Sequence, residues 1–340
     1  MSFDSLAYLV FLPATVLLHW LCPGRQRWIV LLAASLFFYA SWDRPLTLLL
    51  IAVIAVTYLA GLLLSRREAA GRRLILALSL GVCIGLLLYF KYFRFLAEGA
   101  ARLLTLFGHE TAWQLWDILL PVGCSFYTFQ AMSYVIDVYR EPGRAERHPG
   151  YYALYIAFFP QLVAGPIERA SSLLPQFLRR KTFDYDTAVV GMRQILWGLA
   201  KKVIIADSIG YYVDYLLYNP YHFSAASMLW AGMLFVVQIY ADFSGYSDIA
   251  IGSARLFNIQ LRPNFHYPFF SRNMRELWQR WHISLITWFR HYVYFPMGGS
   301  RRGKWRTALN VMVLFLLSGL WHGADWTFVI WGLFNGLLLM

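Results

Sequence analysis

The sequence predicts an all-α fold: a polytopic transmembrane helical bundle with re-entrant or broken helices. Three observations carry this. Only 14% of the 340 residues are charged, against about 25% in an ordinary soluble domain. Hydrophobic residues make up 59% of the chain, and the mean hydropathy is +0.50. These residues come in long runs, with Arg and Lys concentrated in the short links between them. A disordered chain is excluded, and a soluble globule does not fit. The net charge of +12 would suggest nucleic acid in a soluble protein. Here membrane topology and anionic lipid account for most of it, and no nucleic-acid partner is expected. Part of the charge is left for a polyanionic ligand such as a coenzyme phosphate.

Residues 6–21 form the first apolar run, followed by Arg25 and Arg27. Residues 28–42 form the second, closed by Asp43-Arg44-Pro45, and residues 46–64 the third, without any charge. Arg66, Arg67, Arg72 and Arg73 crowd the next link, before a fourth span at 74–90. The basic links place both on the cytoplasmic side, with the N-terminus outside. Met1 to Ser5 carries no basic residue, unlike the start of a cleaved signal peptide, so the first run is expected to stay as a membrane helix. The three cysteines, Cys22, Cys83 and Cys124, have neither disulfide-framework nor zinc spacing, and no metal site is expected.

Between 121 and 170 the pattern becomes irregular. Pro121-Val122-Gly123 opens an aromatic stretch, the run at 151–159 is too short to cross and meets Pro160, and Ala164-Gly165-Pro166 follows. Backbone groups freed by such breaks cannot be left to lipid. They imply partial helices around an internal chamber, or a kinked helix pair. Residues 192–205 are amphipathic, with Lys201 and Lys202 inside, and are expected at an interface. Residues 228–240 lead into Asp242-Phe243-Ser244-Gly245-Tyr246-Ser247-Asp248, which reads as a polar interruption of an apolar region. Spans at 307–320 and 326–340 follow. The last run ends at Met340 without a polar flank, so the chain reads as lacking C-terminal helices. The whole chain reads as a single membrane-embedded domain, with N-terminal spans over 1–114 and a core over 115–340.

Two of the eight histidines stand apart. His282 lies in a stretch whose Leu277, Trp281, Leu285 and Trp288 form one helical stripe, with Glu276 and Arg280 able to pair on the opposite face. This predicts one amphipathic helix offering an imidazole to the interior. His322 follows an apolar run and is flanked by small residues, which leave room for a substrate. Ionisable groups at such depth are costly and usually functional. An uncharged imidazole can take a proton from a hydroxyl, which is what an acyl acceptor needs. Both rings also admit a packing role, and two facing imidazoles could ligate haem. His19, His109, His148, His222, His266 and His291 have no comparable setting.

The 242–248 segment could line an acceptor path through Asp242, Ser244, Tyr246 and Asp248, or could simply cap backbone groups at a break. Arg272, Arg275, Arg290, Arg301, Arg302, Lys304 and Arg306 bracket His282. Guanidinium forks suit phosphates, and Arg275, Arg280, Arg301 and Arg302 are the candidates for a donor's phosphates. A basic helix lying on anionic lipid explains the same cluster.

At these residues the sequence resembles the membrane-bound O-acyltransferase family, most of all its bacterial branch of alginate O-acetyltransferase-like and D-alanyl transferase-like members. The resemblance rests on Pro121-Val122-Gly123-Cys124-Ser125-Phe126-Tyr127 with Tyr134 to Arg140, and on Phe158 to Ile167. It continues through Asp242 to Asp248, Arg280-Trp281-His282-Ile283-Ser284-Leu285 and Gly319-Leu320-Trp321-His322-Gly323-Ala324. It implies a helical fold with a central tunnel. It also implies His322 as the catalytic histidine, His282 as the second functional position, and Trp321 and Trp281 beside the tunnel. Members move an acyl group from a thioester to a hydroxyl. No tightly bound cofactor is implied; acetyl-CoA or another acyl thioester is the co-substrate. The implied setting is a bacterial inner membrane with lipid around the chain, a cell-surface polysaccharide such as alginate as acceptor, and a periplasmic accessory protein. D-alanyl transfer from a carrier protein to teichoic acid is the alternative. From the residues alone, a non-enzymatic transporter or flippase fits the broken helices as well.

Overall fold

The computed structural model describes residues 1–66, 71–108, 118, 121–163 and 165–340. Arg67, His109, Ala164 and the expected division at 114/115 lie outside the described residues. All regular structure among the described residues is helical. The apolar runs become α1 (Leu6–Leu21), α2 (Arg27–Ala40), α3 (Arg44–Leu64) and α4 (Arg72–Leu87). The fourth run does not stop at residue 90. It passes through a π-helical turn at Leu88–Tyr92 into α5 (Phe93–Leu106). No proline interrupts it, and Arg94 pairs with Glu98 one turn on at 2.8 Å, so polar residues decorate the helix without ending it. Among the described residues, three helical runs, Arg44–Leu64, Arg72–Leu106 and Ala225–Arg255, are long and apolar enough to cross a membrane. The architecture is that of a multi-pass membrane protein.

The chain divides into two compact units, Met1–Leu48 with His148–His266, and Leu49–Arg147 with Tyr267–Met340. In the first, α7 (Pro149–Ala157) and α8 (Phe159–Leu162) are the short, broken helices expected around Pro160. Leu154 to Phe159 are essentially inaccessible, and the broken backbone is satisfied by side chains. Ser35 Oγ accepts from the Phe159 N–H at 3.1 Å, Gln161 Nε2 donates to the Tyr155 carbonyl at 2.8 Å, and the Tyr155 hydroxyl donates to the Glu168 carbonyl at 3.1 Å. These are the substitutes for water that a break at membrane depth requires. α9 (Ala170–Leu178) follows.

α10 (Tyr185–Leu199) continues through a π-helical stretch, Ala200–Ala206, into α11 (Asp207–Tyr218), and packs against α12 (Ala225–Arg255). The contact is made by two reciprocal glycine pairs. A Cβ on Gly198 would lie 2.6 Å from the Gly245 carbonyl oxygen, and one on Gly252 would lie 2.6 Å from that of Gly191. Seven residues separate the pairs on each helix, so they share one face and let the backbones approach as small residues do between membrane helices. This corrects the expected interruption at 242–248. α12 runs unbroken through it, because Gly245 is a packing residue there and the carboxylates have cationic partners on the neighbouring helix.

In the second unit, α6 (Cys124–Arg140) is a regular helix with most of its side chains buried. α15 (Lys304–His322) and α16 (Trp326–Leu338) form a helical hairpin. Cβ atoms on Gly319 and Gly332 would lie 2.2 Å from the Phe328 carbonyl oxygen and 2.6 Å from that of Phe315. Asp325 caps α16 by accepting from the Thr327 N–H at 2.8 Å. That bond holds its carboxyl below the usual carboxylate range.

Candidate active site

The single amphipathic helix expected around His282 is two helices, α13 (Met274–Arg280) and α14 (Ile283–Phe289). Trp281 between them is extended, and His282 takes the left-handed conformation at φ 44°, ψ 51°. Packing explains the break. Trp278 on α13 lies against Phe315 and Trp331, with ring centroids 5.1 and 5.5 Å away. Trp288 on α14 stacks on Phe129 at 3.9 Å, and its indole N–H donates to the Phe129 carbonyl at 2.9 Å. Tyr292 adds a bond from its hydroxyl to Asp137 at 2.8 Å. The two halves follow different neighbours, and the chain turns at His282 to allow it. A left-handed conformation costs a β-carbon residue about 1–2 kcal/mol. Such residues persist where the surroundings over-determine them, commonly at functional sites. The expected pair of Glu276 with Arg280 is present at 2.5 Å.

The turn delivers a His282 ring that is 1% exposed to the end of α15. Its centroid is 6.3 Å from that of His322 and 5.6 Å from that of Trp321. Phe126 stacks near it at 6.5 Å and meets Trp321 edge-on at 5.3 Å. Trp331 on α16 covers the His322 ring at 5.2 Å. Two imidazoles forty residues apart in the chain thus face each other inside an aromatic enclosure. The sequence reading singled out His282, His322 and Trp321 as site residues; Phe126 entered it only within a motif and Trp278 only as a helical neighbour of His282, while Phe129 and Trp331 were given no site role. Aromatic residues are abundant throughout this chain, so nothing local set these last two apart.

The other candidates sit elsewhere. Trp281 is half-buried beside Phe269, at 6.3 Å. Arg280 is engaged by Glu276, and Arg301 and Arg302 are exposed on the turn before α15. Arg275, with Arg290 and Lys304, lines an open pocket of about 700 Å³ floored by Leu314 and Phe315. Asp242, Ser244, Tyr246 and Asp248 belong to the first unit. There Asp248 pairs with Lys201 and accepts from Gln194 at 2.8 Å, and Lys201 donates to Ser244 at 3.1 Å. Asp242 pairs with Lys202 at 2.8 Å, and that ammonium lies over the Tyr246 ring at 5.3 Å. The lysines assigned to an interface are the partners of these carboxylates. No group of three residues with metal-ligating side chains comes together among the described residues.

Comparison with known proteins gives the family. A family model, MBOAT, membrane-bound O-acyltransferase family, matches residues 147–340. The chain belongs to the membrane-bound O-acyltransferase family. Among its relatives, a protein of Azotobacter vinelandii named "Probable alginate O-acetylase AlgI" is 41% identical over 347 residues, covering 100% of this chain and 68% of that protein. A peptidoglycan O-acetyltransferase of Helicobacter pylori is 35% identical over 92% of this chain and 63% of its own length. A teichoic acid D-alanyltransferase of Bacillus subtilis is 30% identical, over 66% of this chain and 59% of its own length. The chain spans 68% or less of each of these three relatives.

His282 gives a test of its own. Asparagine tolerates the left-handed backbone and alanine does not. We therefore expect His282→Asn to keep thermal stability in detergent close to wild type and to retain more acyl transfer than His282→Ala. Wild-type transfer in both variants would reduce His282 to packing.

Proposed function

We propose that this chain is the membrane-embedded acyltransferase of a system that O-acetylates a cell-surface polysaccharide, alginate or a related polymer, and that it works in the bacterial inner membrane. The names of its more similar relatives support acetyl transfer to a polysaccharide over D-alanyl transfer. The observation that carries the reading is the meeting of the His282 and His322 rings in one aromatic enclosure. The donor is acetyl-CoA or another acyl thioester arriving from the cytoplasm, with Arg275, Arg301 and Arg302 as candidates for its phosphates. A periplasmic accessory protein receives or passes on the acetyl group.

His322 acts as the general base. It takes the proton of the acceptor hydroxyl as that oxygen attacks the thioester carbonyl carbon. The tetrahedral intermediate collapses, the carbon–sulfur bond breaks, and the proton passes to the leaving thiolate. His282, sealed behind Phe126 and Trp321, holds the donor or the His322 ring in line. The Trp321 indole N–H is buried with no hydrogen-bond partner among the described residues, which makes it a donor available to an oxygen of the substrate. Buried donors aimed at developing negative charge are the largest single aid in acyl transfer.

The experiment is reconstitution of the protein in proteoliposomes with acetyl-labelled CoA and acceptor polysaccharide. Label recovered as an alkali-labile ester supports the reading. Label or polysaccharide that crosses the bilayer without ester formation supports a transporter instead.

A further inference from the structure

The long apolar run Arg72–Leu106 carries a lysine, Lys91, inside its π-helical turn. A lysine within a membrane span is expensive, and its partner usually reveals its purpose. No carboxylate pairs with it among the described residues. Its ammonium donates to the backbone carbonyl of Trp321 and lies 5.5 Å from the centre of that indole ring. The adjacent Tyr92 hydroxyl donates to the carbonyl of Leu320 at 2.6 Å. These two carbonyls belong to the last turn of α15, where helices leave C=O groups without an intrahelical partner. The next residue is His322. Lys91 also lies outside the residues that the family model matches.

We infer that Lys91, with Tyr92, is a positioning residue of the acyl-transfer site: it caps the carbonyl end of α15 and so fixes the direction of the His322 imidazole. The local geometry explains the π-helical turn. π-turns inside α-helices occur mostly at functional positions, and this one presents two successive side chains to two successive carbonyls. A cation there is also favoured by the negative end of the α15 dipole. Gly323, just past the helix, is extended and supplies no left-handed cap of the usual kind. Without Lys91 and Tyr92 the last turn is free to fray, and the ring it carries loses its aim. A misplacement of about 1 Å is enough to cost about 100-fold in rate.

The inference rests on the acyltransferase reading, and two measurements keep the two separable. In the proteoliposome assay, Lys91→Met is expected to lower kcat about 100-fold with the KM for acetyl-CoA changed by less than about twofold. Lys91→Arg, which can still donate, is expected to recover at least about a tenth of the wild-type rate. Combined with His322→Ala, Lys91→Met is expected to cause no further loss, because residues that act through one another are not additive. Hydrogen exchange supplies a readout that needs no activity. In the Lys91→Met, Tyr92→Phe double variant, the amides of residues 321–323 should exchange at least about tenfold faster, with α16 unchanged. Unchanged exchange in that turn overturns the inference. So does a wild-type kcat in Lys91→Met, or an equal additional loss in the His322→Ala background. Wild-type acetylation by His322→Ala would instead overturn the proposed function and leave the exchange result to decide the capping.

Discussion

Replacing His322 by alanine is expected to lower acetyl transfer by about 10²–10⁴-fold without lowering the amount of folded protein in the membrane. The size follows from what is removed. The hydroxyl loses its proton acceptor at the moment of attack, while proximity of donor and acceptor and the Trp321 donor remain. The fold survives because His322 is the last residue of α15 and only half-buried, so its truncation opens no sealed core cavity. Acetylated polymer measured against the quantity of extracted protein checks both halves of this expectation. His282→Ala should show a smaller but clear loss of transfer. It should also lower stability, because it empties a fully buried site and keeps the left-handed backbone.

Gly332→Leu is expected to be strongly damaging although it replaces no candidate catalytic group. Even a Cβ there would lie 2.6 Å from the Phe315 carbonyl oxygen and 3.2 Å from the Leu316 Cα. The obstacle is backbone, which cannot rotate away as a side chain can. Overpacking costs typically about 1–3 kcal/mol and more when the backbone must shift. Relief here requires α16 to move off α15, which carries Trp331 away from His322. Gly332→Leu should therefore lower both the melting temperature in detergent and the transfer rate. A variant that melts like wild type would show that the two helices are not held this closely.

Much of the fold was legible because membrane spans are long one-dimensional signals. The run at 6–21 became α1 with the same bounds, and 46–64 became α3 extended by two residues at its start. Elements whose limits depend on neighbours were harder. The stripe of Leu277, Trp281, Leu285 and Trp288 suits a continuous helix, and only the separate seats of Trp278 and Trp288 break it at His282. The polar 242–248 segment resembled a break because its residues are poor company for lipid. In the fold its glycine lies against Gly198, and its carboxylates find Lys201 and Lys202, some forty residues away in sequence and invisible to any local pattern. A far greater separation, 230 and 228 residues, hid the roles of Lys91 and Tyr92. A lysine near the end of an apolar run resembles an ordinary flank until its partners on α15 are known. His322 stood out in the sequence because an ionisable residue beside small residues after an apolar run is rare, and His282 because it lies in a stretch with an apolar helical stripe.

That His282 and His322 form one acyl-transfer site is most directly tested by a double-mutant cycle read in the labelled-acetyl assay. The account predicts that His282→Ala combined with His322→Ala transfers acetyl no more slowly than His322→Ala alone, since groups acting as a unit lose their function once. Losses that multiply, each substitution exerting its full effect in the presence of the other, would contradict it.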